Sequence, residues 1–181
     1  MNGRTIHAQP LTRAAFAPFG SVIDKSGVAS RPMNSGRARR FHDLAEIHME
    51  GENSLVVVGL VEAEPYQMPL TLSLVERHPL GAQVFLPLSA GNFLVVVCPD
   101  ESGRPGRPLA FVTRPDQGVS YHAGTWHAVL TPIEARQEFA VIDRKGPGPN
   151  LEEHTFDQAW IIHLPERADQ ELPPTQRSGR I

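Results

Sequence analysis

Apolar residues along this chain fall in short bursts separated by turn formers, with no long stretch repeating every third or fourth position. Leu55 to Val61 and Phe93 to Cys98 are runs rich in β-branched residues, which predict buried strands. Phe139-Ala140-Val141-Ile142 and Trp160-Ile161-Ile162 are shorter versions, which buried helical turns would also satisfy. Leu70 to His78 alternates instead. Leu70, Leu72, Leu74, Glu76 and His78 fall on one face, and Thr71, Ser73, Val75 and Arg77 on the other. A face that begins with three leucines and ends in a carboxylate and an imidazole predicts a core-facing strand that delivers two polar groups near a barrel mouth.

Punctuation between the runs is dense: Pro79-Leu80-Gly81, Ser89-Ala90-Gly91, Ser102-Gly103 and Ala123-Gly124 all read as turns. Thr12 caps a short helix through Ala17 that Pro18 and Gly20 stop. Ser26 to Arg40 reads as a loop. Strands at this spacing argue for an all-β sandwich or barrel with short peripheral helices, and against a parallel α/β sheet. With 181 residues, 40% hydrophobic and 20% charged, the composition is that of one globular domain. After Pro165 it turns polar, so residues 1–165 read as the domain and 166–181 as a polar C-terminal tail.

Charge narrows the partners. A net charge of -3, with no helix-turn-helix pattern or basic helix, speaks against nucleic acid and against an anionic membrane surface. Arg31, Arg37, Arg39 and Arg40 form a local basic cluster, read as a solvated loop. The single cysteine, Cys98, excludes an internal disulfide and fits a reducing, cytoplasmic location. Within its apolar run it reads as a small buried residue. No apolar stretch of about 18 residues or secretory leader is visible.

Two segments carry candidate chemistry. In His122-Ala-Gly-Thr-Trp-His127 the Ala123-Gly124 break can return both imidazoles to one side, with Trp126 as an apolar wall. Glu76-Arg77-His78 ends the alternating strand, and Gln83 follows the Pro79-Gly81 turn. A buried carboxylate needs a cation or strong donor beside it. Glu76, His78, Gln83 and His127 together offer two nitrogens and two oxygens, a set suited to manganese, nickel, cobalt or zinc in a site that is catalytic with open positions or only weakly occupied. The competing reading is a surface salt-bridge patch beside two unrelated histidines.

At Glu76-Arg77-His78-Pro79-Leu80-Gly81-Ala82-Gln83 and Gly118-Val119-Ser120-Tyr121-His122-Ala123-Gly124-Thr125-Trp126-His127 the sequence resembles the ureidoglycolate lyase family, a branch of the cupins. Shorter matches lie at Phe16 to Gly20, Arg40 to Ala45 and Asn150 to His154, all in the family's order. The resemblance implies a cupin double-stranded β-helix, or jelly-roll barrel, and a homodimer. It also implies cleavage of (S)-ureidoglycolate to glyoxylate and urea in allantoin catabolism. Against the general cupin metal motif, Glu76 stands where the first histidine of a His-x-His pair would be, and His122 replaces a proline.

That reaction needs a base for a hydroxyl proton, an acid for the departing urea nitrogen and an anchor for a carboxylate. Glu76 or His127 is the candidate base, His122 or Tyr121 the acid, and Arg77 the anchor by residue type, although the alternation points it away from Glu76. Gln83 and Tyr121 complete the candidate substrate contacts. Another cupin enzyme (a sugar epimerase or metal dioxygenase) or a small-ligand-binding cupin is the alternative on the same fold.

Overall fold

The computed structural model describes residues 4–165; the polar tail at 166–181 lies outside them. The chain opens with β1 (Thr5–His7), β2 (Gln9–Pro10), α1 (Arg13–Phe16) and β3 (Gly20–Ile23). A hairpin of β4 (Ser30–Met33) and β5 (Ala38–Phe41) follows, then β6 (Leu55–Ala63), β7 (Leu70–Arg77), β8 (Gln83–Pro87) and β9 (Phe93–Cys98). Short strands β10 (Asp100–Glu101) and β11 (Arg104–Pro105) precede β12 (Leu109–Val112) and β13 (Gly118–Tyr121). The last are β14 (Trp126–His127), β15 (Thr131–Pro132), β16 (Gln137–Lys145) and β17 (Glu152–His163).

Two sheets carry the architecture. An 8-stranded sheet runs β1-β17-β7-β14-β9-β12-β2 with β15 beside β9, and a 5-stranded sheet runs β3-β13-β8-β16-β6. Because β1 pairs with β17 and β2 with β12, the segment from Thr5 to Pro10 joins the two ends of the larger sheet and brings it nearly round on itself. The result is an all-β, nearly closed barrel with short helices at its edge, as the strand pattern predicts.

The β9 strand shows why its sequence is continuously apolar. Leu94, Val96 and Cys98 enter one buried cluster with Leu70, Leu72, Val75 and Trp126. Phe93, Val95 and Val97 enter a second with Phe16, Tyr121 and Phe139. A strand buried on both faces cannot alternate. Cys98 sits in the first cluster, and burial pushes its thiol up to about 12, consistent with an inert apolar role.

Three expectations are corrected. Ser26 to Arg40 contains a hairpin, in which Arg31 faces Arg40 across the strands. Polar composition hid it, since an exposed two-stranded ribbon needs no apolar face. β6 forms as expected but is not buried: Val58 and Leu60 are 73% and 77% exposed at the end of the smaller sheet. The β7 alternation also slips. Val75, and not Leu74, joins Leu70 and Leu72 in one cluster, beside an irregular register with β17 between Thr155 and Trp160. Glu76 therefore faces away from the leucines that were expected to point it inward. A bulge in the partner strand leaves no trace in the pattern of the strand itself.

Local chemistry fixes the N-terminal segment. Thr12 Oγ1 accepts from the Ala15 N–H and caps α1, whose Phe16 is fully buried. Gly20 must be glycine because a Cβ there would lie 1.9 Å from the Ser120 carbonyl oxygen on β13. Asp24, 5% exposed, accepts from Arg114 Nη2 and Gln117 Nε2 at 2.9 Å each, from the Ser26 N–H and from Arg13. This carboxylate ties α1, the end of β3 and the turn before β13 together.

Burial alone would raise the Asp24 pKa, but Gln117, Arg13, Ser26 and Arg114 together hold it below the usual carboxylate value. A depressed carboxylate stabilises the fold above its unfolded pKa, and that stability is lost as pH falls through the folded value. Asp24→Asn is expected to destabilise by roughly 1–3 kcal/mol at neutral pH, the scale for a buried acceptor of charged donors. It should also flatten the loss of stability on acidification below about pH 4. Unchanged denaturant midpoints and an unchanged acid slope would contradict this role.

Candidate active site

Glu76 and His127 are cross-strand partners on β7 and β14, and His78 follows where β7 ends. Alternation puts Trp126 and Ala128 in the first cluster and turns His127 to the opposite face. There its ring stacks on Tyr121 of β13 with centroids 4.3 Å apart and planes 5° apart. The His78 ring centroid lies 5.5 Å from that of His127. Gln83 enters from β8, opposite Tyr121 in the β13 register.

The unsatisfied atoms of this group converge. His127 Nδ1 is bound to the Ala128 carbonyl at 3.0 Å, and His78 Nδ1 to the Asn150 carbonyl at 2.6 Å. Each imidazole is thereby set as the tautomer with its proton on Nδ1, leaving Nε2 as a lone pair. Both Nε2 atoms and Gln83 Oε1 are buried with no hydrogen-bond partner. One ligand atom from each of Glu76, His78 and His127 lies within 4.8 Å of the others. Unpaired buried acceptors cost stability unless something fills the space between them. Carbonyl-anchored imidazoles, a carboxylate and an amide oxygen are a donor set that fits a divalent cation.

Protonation divides the group in two. The His78 imidazole, 3.8 Å from a Glu76 oxygen, holds Glu76 below the usual carboxylate range despite its partial burial. Burial pushes His127 down to about 4 although the Ala128 carbonyl and Glu76 oppose it, so the ring is neutral. Burial would lower His78 as well, yet Glu76, the Asn150 carbonyl and Asp143 raise it above its ordinary value. Tyr121 is pushed up by burial and by the Glu76 charge, and keeps its proton. The shifts thus favour the proton-accepting forms of Glu76 and His127 and the protonated forms of His78 and Tyr121.

A cavity of ≈ 340 Å³ opens beside His78 and Gln83 and is completed by Ala82, Asp143, Arg144, Asn150 and Leu151. That size suits a small organic acid. Of these seven residues only His78 and Gln83 were marked as site residues in the sequence. Asn150 had only its place in a short family match, and Asp143-Arg144 after Ile142 looks like a solvated strand end.

Two expected members lie elsewhere. His122 is exposed and lines a separate cavity with Phe19, Asp100 and Trp126. The Ala123-Gly124 turn does form, with Gly124 at φ 75° and its N–H on the His78 carbonyl, but it separates the imidazoles. Arg77 lies over the Trp126 ring at 4.5 Å and pairs with Glu152 at 2.6 Å and Asp100 at 3.0 Å. Its charge is already met by two carboxylates, which removes it as a substrate anchor.

Fold and site together define an all-β barrel protein with a buried two-histidine, one-glutamate centre beside a small polar cavity. The chain belongs to the ureidoglycolate lyase family, whose described match covers residues 3–163. It is 57% identical over 164 residues to a ureidoglycolate lyase of Chelativorans sp. (strain BNC1), covering 91% of this chain and 99% of that one. It is 52% identical over 160 residues to the ureidoglycolate lyase of Mesorhizobium japonicum, covering 88% and 98%. Ureidoglycolate lyase 2 of Rhizobium meliloti is 51% identical over 154 residues, covering 85% and 94%.

The convergence of Glu76, His78 and His127 is directly measurable. Apo protein titrated calorimetrically with Mn(II) or Ni(II) should take up the cation, and Glu76→Gln should weaken uptake at least about tenfold, the scale of loss at metal centres. Equal affinity in both proteins would remove Glu76 from the donor set.

Proposed function

We propose that this protein is a carbon–nitrogen lyase that converts (S)-ureidoglycolate to glyoxylate and urea, the step that completes allantoin breakdown. The observation that carries the reading is the side-by-side placement of proton acceptors and donors: Glu76 and His127 against His78 and Tyr121. The family to which the chain belongs supports the substrate.

The substrate bears a hydroxyl and a ureido nitrogen on one carbon beside a carboxylate. Glu76, ionised and held near the cavity, accepts the hydroxyl proton. As the C–O bond becomes a carbonyl, the electrons of the C–N bond leave with the urea nitrogen. His78, whose protonated form is favoured by its contact with Glu76, returns a proton to that nitrogen. Tyr121 holds the His127 ring in place by stacking and stays a neutral donor. No water is consumed, and the two products account for every atom. A divalent cation such as nickel or manganese, held by Glu76, His78, Gln83 and His127, would supply Lewis acidity that lowers the hydroxyl pKa; with His78 then a neutral ligand, Tyr121 would be the remaining proton donor.

The product balance is the test. Purified protein incubated with ureidoglycolate should release glyoxylate and urea in equal amounts and no ammonia. Glu76→Gln should cut the rate about 10²-fold, as the loss of a positioned base does. Ammonia as the main nitrogen product would mean amide hydrolysis and defeat the lyase reading.

The exposed apolar edge supports a homodimer. Val56, Val58 and Leu60 share one face of β6, at the open end of the smaller sheet, and all are exposed. A bare apolar edge strand in a folded protein invites pairing with a second copy. Light scattering on the wild type should give twice the chain mass, and Leu60→Glu should shift it toward the monomer. A monomeric wild type would refute the dimer.

A further inference from the structure

We infer that Arg144 is the anchor for the substrate's carboxylate, a role that rests on the lyase reading and makes it more specific. Arg144 ends the inward part of β16 and is 9% exposed. Its Nε donates to the Glu50 carbonyl at 2.8 Å and to Ser54 Oγ at 3.0 Å, and Nη2 donates to the Pro147 carbonyl at 2.7 Å. Every one of these acceptors is neutral. Among the described residues no carboxylate stands within ion-pair distance of this guanidinium, whereas Arg13, Arg77, Arg114 and Arg136 each have at least one.

A buried cation without a counter-charge is costly, so a fold that keeps one either needs its hydrogen bonds or supplies it to an anion. Two features favour the anion. Arg144 lines the same cavity as His78 and Gln83, whose Nε2 and Oε1 are themselves unpaired. The guanidinium is also held in a cradle built for it. A Cβ on Gly51 would lie 2.9 Å from Nη2, and one on Gly146 3.0 Å from it, while a Cβ on Gly81 would meet the Arg144 side chain at 2.8 Å. Three glycines and three neutral acceptors thus fix a planar fork at the wall of a cavity sized for a small acid. Nη1 makes none of these contacts, and a fork presented this way matches the two oxygens of a carboxylate. Asp143, the neighbouring cavity acid, acts on His78 and contributes to raising its pKa.

The alternative is purely structural: Arg144 pins the loops at Glu50, Ser54 and Pro147 and touches no ligand. Binding separates the two. Oxalate and glyoxylate, which carry the carboxylate without the urea, are titrated calorimetrically into wild type, Arg144→Lys, Arg144→Met and Arg136→Met, with a thermal melt of each. The anchor expects binding to the wild type, at least about tenfold weaker binding in Arg144→Met, an intermediate loss in Arg144→Lys, which keeps charge but not the fork, and wild-type affinity in Arg136→Met, which removes an exposed arginine outside the cavity lining. If Arg144→Met does not fold, Arg144→Lys decides. Wild-type affinity in Arg144→Lys and Arg144→Met, or no binding of either acid to the wild type, overturns the inference. Normal release of urea together with unchanged affinity in the variants refutes the anchor alone. Arginine-dependent oxalate binding without any urea release refutes the lyase reading and leaves the carboxylate site standing.

Discussion

Burial of the His127 imidazole is the constraint on which the site depends. At 2% exposure the ring cannot carry a charge cheaply, so it stays neutral, with its Nδ1 proton committed to the Ala128 carbonyl. That bond and the flat stack on Tyr121 leave one free lone pair aimed at Glu76 and His78. Because Glu76 is the strand partner of His127, the two polar groups are placed by backbone register and not by flexible side chains. The His78 carbonyl then holds the Gly124 N–H, so the turn that delivers Trp126 and His127 is fastened to the strand end that delivers Glu76 and His78.

Electrostatics sort the arginines. Arg77 and Arg114 sit where carboxylates meet them, and their work is to hold strands and turns together. Asp24 shows the same logic from the acidic side, as a buried charge surrounded by two arginines, an amide and a backbone N–H. Arg144 breaks the pattern, with carbonyl and hydroxyl acceptors only. Within one small domain the same residue type is thus balanced at the structural positions and left unbalanced at the cavity.

Much of this was legible in the sequence, for identifiable reasons. Turn residues and β-branched runs mark the strands because each strand is short and bounded, and Thr12 marks α1 because capping is a local interaction. Glu76, His78 and His127 do lie together, with Gln83 beside His78 on one cavity, although the leucine phase that suggested the group does not continue to Glu76. The register slip arises on β17, some eighty residues away, and alternation within β7 cannot register it. His122 and Arg77 failed for a related reason. Which side of a turn or strand an isolated polar residue takes is decided by its partners, here Asp100 and Glu152 for Arg77, and these are distant in sequence. Arg144 was hidden because its cradle comes from Gly51, Gly81 and Gly146, three glycines that each read alone as ordinary turn residues.

The same geometry explains why the centre can hold acid and base side by side. Two acidic or two basic groups at this distance would titrate against each other and leave one in the wrong state. Here Glu76 and His78 shift in opposite directions, each favouring the charged form of the other, while His127 is excluded from the charge by burial. Burial alone would push Glu76 up and His78 down, toward a neutral pair. Their mutual contact reverses both shifts. The separation of 3.8 Å is close enough for that coupling and too long for a committed hydrogen bond, which leaves His78 Nε2 without a partner.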